Sequence, residues 1–190
     1  MLRRTFLIAA IAALTGCASM ADKLQGSLAP PLGQAYAIVS LVGKAFEPDR
    51  AVVGLQIRDA AGREAAADVA SLNTDTVFGE EGMSPVEGKL MLLPLPPGDY
   101  RLANVWGHWA EDGAWGPYLQ MKQFKQNAPF HLDAGETVYL GEVKLEMSFL
   151  PEVKYGNEAR RDFGHMRRVW KVKDLSQVKI RPLAPASGAQ

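Results

Sequence analysis

A mainly β fold, an antiparallel β-sandwich of six to seven strands with one C-terminal helix, is what the sequence predicts. Three observations carry it. Apolar and polar residues alternate over short runs, and turn residues punctuate those runs. One late stretch repeats its apolar residues at helical spacing instead. Several short strands, abundant turns and a lone helix bury their apolar faces best as two packed sheets.

The chain opens with Arg3 and Arg4, an uncharged apolar run over 6–14, and the small residues Thr15 and Gly16 before Cys17. That order is an n-region, an h-region and a cleavage site, so 1–16 reads as a signal peptide. The apolar run, at about 1.5 Å per residue, covers only about half of a bilayer's hydrocarbon core. Leu14-Thr15-Gly16-Cys17 resembles the lipobox of bacterial lipoproteins. The resemblance implies diacylglycerol and an N-acyl chain on Cys17. Ala18 follows, where an aspartate would imply retention in the inner membrane, so the resemblance implies an outer-membrane anchor with the domain facing the periplasm. Residues 17–33, with Pro30 and Pro31 and little apolar periodicity, are expected to form the lipidated N-terminus and a flexible stalk. Fully extended, that stalk reaches about 50 Å.

The domain is expected over 34–181. Residues 36–42 are apolar on both faces and suit a central strand. Val53, Leu55 and Ile57 alternate with Gly54, Gln56 and Arg58, and a hairpin turn is expected at 59–62. Runs 90–95 and 99–106 flank Pro96-Pro97-Gly98, which predicts a type II hairpin turn. A turn at 133–135 separates 129–132 from 137–147, where Gly141, Val143, Leu145 and Met147 alternate with Glu142, Lys144 and Glu146. Phe163, Met166, Val169 and Trp170 predict a helix over 157–171, with Asn157 as a cap and Gly164 as a weak point. Residues 182–190 are expected to fray.

The segment 93–102, Leu-Pro-Leu-Pro-Pro-Gly-Asp-Tyr-Arg-Leu, with Gly-Glu-Thr-Val-Tyr-Leu-Gly at 135–141, resembles prealbumin-like sandwiches of the carboxypeptidase regulatory type. It also resembles bacterial lipoproteins that carry such domains. The resemblance implies a prealbumin/Ig-like fold and a non-catalytic binding or accessory role.

Composition removes several function classes. Loss of 1–16 takes Arg3 and Arg4 from the 21 basic residues and leaves 19 against 21 acidic, so no global field points to nucleic acid. Cys17 is the only cysteine, which excludes an internal disulfide and cysteine-based catalysis or metal clusters in the mature chain. No phosphate-binding loop or dinucleotide fingerprint occurs, so no cofactor is expected beyond the lipid on Cys17. Ser84 lacks the second glycine of a nucleophile elbow.

Two segments are left as candidate sites. Trp106, His108, Trp109, Trp115 and Tyr118 lie close together, suited either to a surface that grips a cell-wall glycan or an envelope protein, or to packing over an open end of the domain. His108, Glu111 and Asp112 alone do not make a metal site. The stretch 154–173 carries seven basic residues against two acidic ones. Arg160, Arg161, Arg167, Arg168 and Lys171 form its candidate contact with anionic lipid, with Trp170 beside them. The sequence therefore points to a membrane-anchored binding or structural module. The alternatives are an envelope enzyme acting on wall or lipid, and an accessory subunit of an envelope complex.

Overall fold

The computed structural model describes residues 19–113 and 116–186. Cys17 and Trp115 lie outside the described residues. The protein is mainly β, with two sheets and a short C-terminal helix. The chain runs α1 (Met20–Leu24), β1 (Ala35–Lys44), β2 (Val52–Asp59), β3 (Glu64–Ser71), β4 (Thr76–Val77) and β5 (Val86–Leu95). It continues through β6 (Gly98–Gly113), β7 (Gly116–Leu132), β8 (Thr137–Glu146), β9 (Glu152–Gly156), α2 (Ala159–Arg168) and β10 (Val178–Ile180). Ten strands thus stand among the described residues where six to seven were expected, because two- and three-residue pairings such as β4 and β10 leave too short a pattern to read.

One sheet has six strands in the order β10-β8-β1-β5-β4, with β9 also on β8. The other has four, in the order β3-β2-β6-β7. The expectation of purely antiparallel pairing is corrected: β8 runs parallel to both β1 and β10. After β5 the chain crosses to the second sheet, makes the β6–β7 hairpin there and returns, so β8 re-enters the first sheet in the direction of β1. The expected hairpin at 96–98 is corrected for the same reason. β5 pairs with β1 and β4 whereas β6 pairs with β2 and β7, so the turn joins two sheets. The Tyr100 hydroxyl pins this corner by donating to Pro96 O at 2.7 Å. The turn at 59–62 does close a hairpin, between β2 and β3, with Gly62 at φ +80°.

The two sheets share one core. Val53, Leu55 and Ile57 of β2 and Leu102, Val105 and Trp109 of β6 belong to the same buried cluster as Val39 and Leu41 of β1 and Val143 and Leu145 of β8. The six-stranded sheet is buried on its other face too. Ile38, Val42, Leu90 and Tyr139 are covered there by Leu24 and Leu28, by Met166 of α2, and by Trp170, Val172 and Leu175. Covering on both sides explains why β1 carries apolar residues on both of its faces.

This second layer corrects both expected chain ends. The segment expected as a stalk is docked: Ser19 caps α1 in a reciprocal capping box with Asp22, and Leu24 and Leu28 are each 7% exposed. Each such burial stabilises by about 1.5–3 kcal/mol, more than a polar stalk offers for staying free. At the other end Leu183 is buried in the shared core, and Ala186 N donates to Asn127 O of β7. The expected helix shortens to Ala159–Arg168, ended by Lys171 at φ +58°. Gly164 is a packing residue: a Cβ there would meet the Glu80 backbone nitrogen at 2.4 Å.

Candidate ligand-binding groove

The outer face of the four-stranded sheet carries the polar side chains of β2, β6 and β7. Strict alternation along β6 fails between Leu102 and Asn104, where the register to β7 shifts. Leu102 and Val105 both face the core, so Ala103 and Asn104 are left on the outside together. They open a groove of about 330 Å³ lined by Gln56, Arg58, Arg101, Asn104, Gln123 and Lys125, among others. Asn104 Oδ1 is buried and accepts no hydrogen bond from the protein. Arg58 Nε donates to Gln56 Oε1 at 3.3 Å, and Gln56 Nε2 donates to Glu64 Oε2 at 2.5 Å, so the β2 wall is braced.

Trp106 adjoins this groove, paired with Gly54 on β2 and Gln123 on β7. A Cβ on Gly54 would lie 2.2 Å from the indole, so only glycine lets the ring lie flat on the strand. His108 stacks beside it, with centroids 6.3 Å apart and planes 18° apart. The face continues over Met121, which is exposed and paired with His108.

The expected aromatic surface is therefore only partly one surface. Trp106 and His108 share the outer face, and Tyr118 is exposed further out on β7. Trp109 is corrected: it is 4% exposed in the shared core. Period two places it opposite Trp106 and His108. Asn104, Gln123 and the arginines beside them were missed from sequence. The available signal was the three-residue spacing of Leu102 and Val105, which no unbroken strand produces.

The basic segment also divides. Arg161 is corrected as a lipid contact, being 5% exposed. Its Nη1 donates to Glu142 Oε2 at 2.6 Å, its Nη2 to Ser40 Oγ at 3.0 Å, and its Nε to Asp162 Oδ1 at 2.8 Å. Tyr139 donates to Asp162 Oδ2 at 2.5 Å. Burial pushes the Asp162 carboxyl up against the pull of that guanidinium, and it pushes the Tyr139 hydroxyl up as well. Trp170 is buried rather than presented to lipid. Arg160, Arg167, Arg168 and Lys171 are exposed. Arg160 and Arg167 both reach Glu80, and Arg168 donates to Gly79 O.

A larger cleft of about 710 Å³ lies beside this network, with Lys44, Ser84, Glu87, Glu142 and Arg161 on its walls. The Arg161 guanidinium there is engaged by its structural partners, so the groove holding an unpartnered acceptor is the better candidate. His165 sits deeper in the helix layer, its Nδ1 accepting from Phe78 N–H at 3.0 Å. Burial first, and then the Arg161 and Arg168 charges, push its pKa down to about 4. On the surface His131 touches Asp99 and Asp133 through its two nitrogens, at 2.7 and 3.2 Å, which raises its pKa.

Among the described residues no group of three or more His, Cys, Asp or Glu side chains is placed to hold a metal ion. No described helix is long and apolar enough to cross a membrane. No family model, curated protein or solved structure matches the chain.

Proposed function

We propose that this chain is an exported bacterial lipoprotein, held in the outer membrane by acyl chains on Cys17, whose prealbumin-like sandwich binds cell-wall glycan on its four-stranded face. The observation that carries the binding role is the Trp106 indole, laid flat on Gly54 beside a groove with an unpartnered buried acceptor. A sugar ring stacks its C–H face on an indole while its hydroxyls meet amides and guanidinium groups. An orphaned buried acceptor costs about 1–3 kcal/mol. A hydroxyl donating to Asn104 Oδ1 relieves that cost, which favours a hydroxyl-rich ligand over an apolar one.

The anchor rests on Leu14-Thr15-Gly16-Cys17 in register with the charged and apolar regions before it. More than one acyl chain is needed for a stable hold. A tethered module meets the wall at high effective concentration, so weak individual contacts suffice.

Retention on isolated peptidoglycan sacculi tests the binding role. Trp106→Ala and Asn104→Ala are expected to lower retention about tenfold, as loss of one stacking or hydrogen-bonding contact worth about 1.4 kcal/mol does. Unchanged retention in both refutes the glycan reading. Radiolabelled palmitate entering a Cys17→Ser variant as well as the wild type refutes the anchor.

A further inference from the structure

Resting on the lipid at Cys17, we propose that the domain lies with its helix layer against anionic phospholipid headgroups and turns the Trp106 groove away from the membrane. The described residues begin at Ser19, whose side chain and backbone are both engaged in the α1 cap. One residue, Ala18, separates Ser19 from Cys17, and the two steps of chain extend at most about 7 Å. The anchor is therefore joined almost directly to α1, with no length of chain left to act as a swivel.

α1 is itself fixed to the domain. Leu24 and Leu28 belong to the same buried cluster as Met166, Trp170 and Val172, and Lys173 N donates to Gly26 O at 3.1 Å. The headgroups thus meet the layer built by α1, α2 and the 170–178 segment. Lys23, Arg168, Lys171 and Lys173 are exposed on that layer and form no ion pair among the described residues. Their charge complements headgroup phosphates. Behind them come the six-stranded sheet, the shared core and the four-stranded sheet, so the groove faces the opposite side at about 20 Å, two layer spacings away.

The test uses the full-length acylated protein in vesicles of phosphatidylglycerol and phosphatidylethanolamine with a headgroup-attached quencher. Lys23→Cys, Arg167→Cys and Arg58→Cys each place one fluorophore at an exposed position, since an acylated Cys17 has no free thiol. Lys23 and Arg167 lie on the helix layer and Arg58 lines the groove. Quenching at positions 23 and 167 is expected to exceed that at 58 by about threefold or more, given the ~20 Å between the faces. Strong quenching at 23 with equal, weak quenching at 167 and 58 means the domain stands on α1 and overturns the proposal. Equal quenching at all three also overturns it. Mass analysis of the same samples separates the two readings: an acylated protein that fails the quenching test leaves the anchor intact, whereas an unacylated one overturns both.

Discussion

Replacing Arg161 with methionine removes the centre of the buried network while keeping most of the side chain's volume. Asp162 is fully buried, and of its partners only the Tyr139 hydroxyl and Ser40 then remain. Glu142, with a side chain 12% exposed, loses its guanidinium as well. Breaking a buried pair by removing one partner costs about 3–5 kcal/mol, because the other charge stays desolvated. With a urea dependence near 2 kcal/mol per molar, the unfolding midpoint is expected to fall by about 2 M. Tryptophan fluorescence reads the transition, since Trp170 lies in the same layer. A fall below about 0.5 M refutes the claim that this network holds α2 to the sheet. Adding Asp162→Asn is expected to restore about half of the loss, because a buried amide carries no charge. The pH dependence follows from the sign of the shift. Burial already raises the folded pKa of Asp162 above its unfolded value, and loss of Arg161 raises it further. The penalty is then greatest above the folded pKa and relaxes on acidification, so Arg161→Met regains stability relative to wild type as the pH falls through that raised folded pKa.

Trp109→Ala empties a core position and is expected to cost about 3–5 kcal/mol, whereas Trp106→Ala costs under about 2 kcal/mol; parallel urea titrations compare the two. His165 is neutral in the fold with its pKa lowered to about 4. Its contribution to stability is complete above the unfolded value near 6.5 and is lost as pH falls toward 4, about 3 kcal/mol in all. A His165→Gln variant lacks that part of the slope, and equal slopes in the two proteins refute it. Gly164→Ala gains about 1 kcal/mol of helix propensity. It also drives a Cβ into the Glu80 backbone, so its melting temperature is expected to fall rather than rise.

What the sequence disclosed was local. The alternation over 53–58 and 141–147, the two-faced apolarity of 36–42 and the turns at 59–62 and 133–135 all reappear in the strands, because one buried face imposes a period of two. Pairing between distant strands was hidden. Nothing in residues 137–146 says that their neighbour is β1 running parallel, because that depends on how often the chain has changed sheets. Phase was hidden too: Arg160 and Arg161 are adjacent and chemically alike, yet one is exposed and the other sits at 5% exposure beneath α2. In the N-terminal segment only Leu24 and Leu28 signal docking, and two leucines in a short polar stretch have no periodicity to detect. The groove lay beyond reading because a bulge creates it, and aromatic residues draw attention sooner than an asparagine out of step.

The docked N-terminal segment also fixes when this protein can finish folding. Leu24 and Leu28 are made early, yet they pack with Met166, Trp170 and Leu175, which are made last. β1 likewise waits for β5 and then for β8, whose residues lie about a hundred positions after their β1 partners. Contacts of such long sequence separation form slowly, and none can form before both partners are present. A chain synthesised N-terminus first therefore has no complete unit to assemble until residues 166–175 are present. The layer that carries α1 is thus the last part of the fold to close.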